Sequence, residues 1–98
     1  MARYQILYWK EFPAQIKAHD EAGTAKVLLP DRFAEAIDAA AMAEGSADSE
    51  AYLDGWNWGA EDNRPGSAKE VADAVAAELE QAYPKARLAE MVRERRPQ

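Results

Sequence analysis

Cysteine is absent from the chain. Disulfides, thiolate metal sites, cysteine nucleophiles and iron–sulfur clusters are thereby excluded, and cysteine usage leaves the redox compartment undetermined. Histidine occurs once, at His19, beside Asp20 and Glu21. A metal site needs convergent ligands, so His19 reads as a solvated hairpin residue and neither a metal nor a cofactor is expected. No apolar run approaches the roughly 20 residues of a membrane helix. Residues 1–10 follow a strand pattern where a signal peptide would place its apolar segment, so a cytoplasmic protein without a membrane partner is expected. Gly55, Gly59 and Gly66 fit neither GxGxxG nor a Walker pattern, and no phosphate-cradling loop is read from them. Cations are few, 12 Lys and Arg against 18 Asp and Glu, for a net charge of −6. Nucleic acid and anionic membrane both reward a basic surface, so a nucleic-acid partner is not expected.

What is present is ordinary for a soluble domain: 98 residues, 48% hydrophobic and 31% charged. One domain over residues 1–94 is expected, with 95–98 a frayed tail. Residues 85–98 hold five cations (Lys85, Arg87, Arg93, Arg95, Arg96) against Glu90 and Glu94, a local +3 that leaves −9 for residues 1–84. That segment reads first as a solvated helix end, then as a docking segment for an acidic partner, then as a weak nucleic-acid contact.

Arg3–Lys10 alternates with period two and is rich in aromatic and β-branched residues, which predicts a strand covered on both faces. Phe12-Pro13 predicts a bend or bulge. Ala14–His19 reads as a strand with one wet face, and Asp20-Glu21-Ala22-Gly23 as a turn. Thr24–Leu29 returns as a third strand with Ala25, Val27 and Leu29 on one side, completing an antiparallel meander. A helix is predicted from an Asp31 N-cap to a Gly45 stop, with Phe33, Ala36, Ile37, Ala40 and Ala41 inward. Ser46–Glu50 is a polar linker or short helical turn. Ala68–Tyr83 forms the second long helix, with Val71, Val75, Leu79 and Ala82 inward and Lys69, Asp73, Glu80 and Gln81 in water. Pro84 ends it or opens a short amphipathic helix carrying Leu88, Met91 and Val92.

The organising stretch is Leu53–Ser67, LDGWNWGAEDNRPGS. Trp56 and Trp58 leave one face of an extended strand, and Gly55, Asn57 and Gly59 leave the other nearly bare. The indole face is expected to be packed, and the glycine face to let another backbone or a ligand come close. Glu61–Arg64 reads as a turn, and Ser67 with Glu70 as the capping box of the next helix. Strands first and helices later give an α+β fold: an antiparallel sheet of about four strands, element order β-β-β-α-β-α plus a short C-terminal helix, with the helices on one face. The fourth strand is placed beside the first.

Of the carboxylates, Asp54, Glu61 and Asp62 lie near the aromatic stretch and read as exposed loop acids. No nucleophile elbow surrounds any serine. Nine aromatic residues admit two readings, a core between sheet and helices or a binding platform, and each ring taken singly favours core. If the indole pair is buried, Trp9 or Phe12 is expected to supply an exposed contact.

The blocks RYQILYWKEFPAQIKA, LPDRFAEAIDAAAMAEG, YLDGWNWG and RPGSAKEVADAVAAELE, spread over residues 3–83, resemble the small bacterial domain of the virulence factor family, related to a staphylococcal conserved virulence factor. The resemblance implies no reaction and no catalytic residues. Its stand-alone members resemble accessory proteins of folate and corrinoid one-carbon metabolism. The C-terminal arginines lie outside it.

The function expected is that of a non-enzymatic interaction module that binds a partner protein or itself through aromatic and sheet-edge surface. The residues expected to carry it are Trp9, Lys10, Phe12, Trp56, Asn57, Trp58 and Arg64. The alternative is a small-ligand carrier or enzyme accessory subunit, with Asp54, Asn57, Arg64 and nearby rings lining a pocket for a planar ligand such as a pterin.

Overall fold

The computed structural model describes residues 1–47 and 49–95. β1 (Ala2–Trp9), β2 (Phe12–Asp20) and β3 (Gly23–Leu28) form the expected meander. The sheet order is β3-β2-β1-β4, where β4 is Trp56–Trp58, and β5 (Asp62–Arg64) pairs with β1 as well. Every pairing is antiparallel. β4 lies along Leu7–Trp9 and β5 along Ala2–Tyr4, so the two short strands share one edge of β1. The fourth strand thus lies beside the first, while part of the expected Glu61–Arg64 turn is a fifth strand. Its three polar residues carry no alternation for a pattern to reveal, and backbone pairing to Ala2–Tyr4 extends it.

The register slips once. Leu7 faces Gln15 but Tyr8 faces Pro13, which makes Ala14 the extra residue of a bulge beside the expected position. Its carbonyl is not idle; it accepts the Leu29 amide at 3.1 Å.

Among the described residues four helices complete the fold: α1 (Asp31–Glu44), α2 (Glu50–Asp54), α3 (Ala68–Ala82) and α4 (Lys85–Arg93). α1 buries the expected stripe from Phe33 to Ala41 and stops at Gly45, whose φ of 78° suits a residue without a Cβ. Pro30, not Asp31, occupies its N-cap position; Asp31 is the first helical residue. α3 starts at the expected capping box: Ser67 Oγ accepts the Glu70 amide and Glu70 Oε1 accepts the Ser67 amide, both at 3.1 Å. It buries Val71 and Val75, whereas Ala82 is exposed. Pro84 caps α4, which buries Leu88.

Ala2, Tyr4 and Ile6 of β1 share a sheet face with Ile16 and Ala18 of β2 and Ala25 and Val27 of β3, and this face joins the core under α3. α1 packs on β2 and along α4. At the C-terminal end of α1 the buried Glu44, its side chain only 3% exposed, receives Lys10 Nζ at 2.6 Å and Arg95 Nη1 at 2.9 Å. Arg95 also meets Glu11. Two cations from distant segments therefore hold one desolvated carboxylate, and Arg95, expected in a frayed tail, is fixed. Residues 96–98 of that tail, and residue 48 of the Ser46–Glu50 linker, lie outside the described residues.

Candidate functional site

The sheet face opposite α3 carries the other half of each strand's alternation, and α1 borders it only along Leu7, Gln15 and Leu28 among the described residues. Its register arranges three rows of side chains. Leu28, Gln15, Leu7 and Trp58 form an apolar row; Lys26, Lys17 and Gln5 follow; Thr24, His19, Arg3 and Asn63 complete it. Leu28 is 75% exposed and Trp58 44%. Arg3, Lys17 and Lys26 are exposed as well. Neither β1 nor β3 contains an Asp or Glu, and the one acid of β2, Asp20, belongs to the covered side. An acidic chain thus turns a basic, partly apolar sheet surface to solvent.

Local contacts order this surface. Lys17 Nζ stands 5.9 Å from the Trp58 ring centroid, within cation–π range. Gln5 Nε2 donates to the Gly59 carbonyl at 3.1 Å and ties β1 to the segment after Trp58. Arg3 pairs loosely with Glu61 at 3.7 Å, both side chains half exposed. His19 Nδ1 lies 3.2 Å from Thr24 Oγ1 on the same face. Among the described residues no group of three or more His, Cys, Asp or Glu is placed to hold a metal ion.

The residues singled out from the sequence are not brought together. Trp9 and Phe12, expected as exposed contacts, are both 0% exposed. The reason is the segment around Tyr52 and Gly55, which closes over them: Trp9 Nε1 donates to the Tyr52 carbonyl at 2.7 Å, and the Trp9 and Phe12 rings pack at 6.3 Å. Lys10 is engaged by Glu44. Asn57 Nδ2 donates to the Asp54 and Gly55 carbonyls and holds the turn after α2, with Asp54 exposed at that helix's end. Arg64 forms a two-pronged pair with Glu78 of α3, at 2.6 Å on each side, above the Tyr4 ring. The Glu78 hydrogen bonds hold that guanidinium well above its usual range and lower the Glu78 carboxyl in return. Asp54, Asn57 and Arg64 therefore do not line a common pocket. Trp56 and Trp58 share a face as expected, yet only Trp56 is partly packed, against Tyr52. The glycine side is filled from within: Gly59 lies under the Tyr8 ring and Gly55 under the Trp9 indole.

Leu7, Lys26 and Leu28 were not singled out from the sequence, whereas Gln15 and Lys17 belong with His19 to the wet face expected of the second strand. The available signal was Leu28, an apolar residue on the side opposite Ala25 and Val27, together with strands free of acids.

Fold and surface together define a small α+β domain with one sheet face open and no helix, among the described residues, long and apolar enough to cross a membrane. The family whose model is described as virulence factor matches residues 7–92, and the chain belongs to that family. No curated protein and no solved structure matches it.

Proposed function

We propose that the protein is a non-enzymatic, cytoplasmic interaction module whose open sheet face seats an acidic segment of a partner protein. The observation that supports this reading is the segregation of charge: Arg3, Lys17 and Lys26 stand beside the apolar row Leu28–Leu7–Trp58 on a chain of net charge −6. Opposed charge steers encounter and selects the partner, while the apolar row supplies area to bury. Trp58 has the features of an anchor, being large, rigid and half-exposed. A long polyanion is disfavoured by the net charge of −6, whereas a short acidic segment can keep to the row of Lys17 and Lys26.

The test is binding of an amphipathic peptide that alternates leucine and glutamate, followed by the Trp58 indole N–H signal in NMR spectra. Its glutamine counterpart, a single-stranded oligonucleotide and a light-scattering measurement of self-association accompany it. The expected result is saturable binding of the glutamate peptide alone, weakened by salt and lost in Lys17→Glu/Lys26→Glu. Equal binding of the glutamine peptide, tighter binding of the oligonucleotide, or a stable dimer that the charge reversals dissociate would each replace this reading.

A second reading, carriage of a small ligand, is supported at another place than Asp54, Asn57 and Arg64. There the open face runs into a cleft beside α1.

A further inference from the structure

That cleft encloses about 290 Å³ between the end of the sheet and α1. Leu7, Leu28 and Ile37 contribute apolar surface, and Tyr52 and Trp56 contribute aromatic surface. The two rings stand edge to face, centroids 6.2 Å apart and planes at 84°, so they form a corner. The corner is braced before any ligand arrives: Trp9 packs behind Tyr52 at 5.8 Å and donates its indole N–H to the Tyr52 carbonyl.

Polar character comes from Gln15 and from two carboxylates, Asp31 and Asp38. They lie seven residues apart on α1, two turns along one helix face. Both are exposed, and neither takes part in an ion pair among the described residues. Among the described residues no Lys or Arg lines the cleft. The two carboxylates carry full negative charge and an aromatic ring face attracts a cation, so the side chains at the cleft favour a cation, while the leucines and Ile37 favour an apolar body around it.

We infer that the cleft binds a small alkylammonium group, a quaternary or protonated amine with an apolar envelope, against the Tyr52–Trp56 corner with Asp31 and Asp38 at its mouth. The cleft shares Leu7 and Leu28 with the acidic-partner reading, but the two are told apart by their tests: Lys17→Glu/Lys26→Glu bears on the acidic partner, and Asp31→Asn/Asp38→Asn with Trp56→Phe bears on the cation.

The experiment is an NMR titration of the full chain with choline and with its neutral isostere 3,3-dimethylbutan-1-ol, following the Trp56 indole N–H. A short peptide carrying trimethyllysine and its norleucine analogue distinguish a free amine from a protein side chain as the source of the same group. Choline or the trimethyllysine peptide is expected to shift the Trp56 signal saturably, with the neutral analogue about fivefold or more weaker, as a cation–π contact with nearby carboxylates implies. Asp31→Asn/Asp38→Asn, at exposed positions that leave the fold in place, is expected to narrow that difference, and Trp56→Phe to weaken the cation while retaining a ring. Equal affinity for the neutral isosteres would show an apolar crevice without cation preference and overturn the inference. So would the absence of any Trp56 shift with either cation near its solubility limit, or tighter binding of the anion folate.

Discussion

The indole of Trp9 occupies the space that a side chain at Gly55 would need: an ideal Cβ there would come within 2.5 Å of Trp9 Nε1 and 2.8 Å of its neighbouring ring carbon. Gly55 itself is buried, and its carbonyl accepts the Lys10 amide at 2.8 Å. The glycine therefore lets the end of α2 close over the core, a packing role with no ligand in it. Gly55→Ala must displace a fully buried ring or pull the segment away, at a cost of roughly 1–3 kcal/mol. Urea unfolding monitored by tryptophan fluorescence measures it, and an unchanged midpoint would contradict the close approach.

Trp9 and Trp58 should differ sharply in what they contribute to stability. Trp9→Ala removes a ring at 0% exposure and is expected to cost about 3–5 kcal/mol. Trp58→Ala, at 44% exposure, should cost less than about 1 kcal/mol and leave the chain folded. Chemical denaturation of the two variants side by side checks this. Comparable losses would mean that the open face is structural.

Glu44 ties together two segments far from it in sequence, through Lys10 and Arg95, and also accepts the nearby Ser46 hydroxyl at 3.3 Å. Glu44→Ala leaves two cations facing a void in the core and is expected to destabilise by roughly 3–5 kcal/mol. Amide exchange should accelerate first in α4, since Arg95 follows that helix and loses its buried partner. Uniform acceleration across the sheet and α4 would argue against such a latch.

Asp20 couples the β2–β3 turn to α3. Its carboxylate accepts the Ala68 amide at 2.7 Å and the turn amides of Ala22 and Gly23 at 2.8 and 2.9 Å. The Ala68 hydrogen bond first, and then those of the turn, hold this carboxyl below its usual value. A depressed folded-state pKa means the unfolded chain takes up the proton first as pH falls. The stabilisation is therefore fully present above the unfolded value of about 3.9 and is lost as pH drops through the lower folded value. Thermal midpoints of wild type and Asp20→Asn measured from pH 7 down to acid should converge at the low end, with the wild type higher at neutrality. Parallel curves would refute the coupling.

Much of the architecture could be read from the residues because local rules and the final packing agree. Period-two alternation over residues 3–29 with turn chemistry at 20–23 gave the meander, and Ser67 with Glu70 gave the start of α3 to the residue. β5 was illegible, since Asp62-Asn63-Arg64 is a strand only by virtue of the backbone it meets. The burial of Trp9 was illegible for a similar reason: what covers it is Tyr52 and Gly55, more than forty positions away. The partners of Lys10 and Arg64 were illegible too, since Glu44 and Glu78 are carboxylates that no spacing rule links to them. The open face was half legible. Its wet positions Gln15, Lys17 and His19 were recognisable, but its width depends on which strands become neighbours.

β1 sits inside the sheet, with Ala2 paired to Arg64 and Trp9 to Trp56 on one side. During synthesis β1 must therefore wait, one flank bare, until some sixty further residues have followed it. The meander can form early from neighbouring segments, but closing its far border requires a long loop to be ordered, which slows folding of the nascent chain. Over that interval the aromatic flank of β1 is a natural substrate for chaperones, and mispairing there is the misfolding route this topology leaves open.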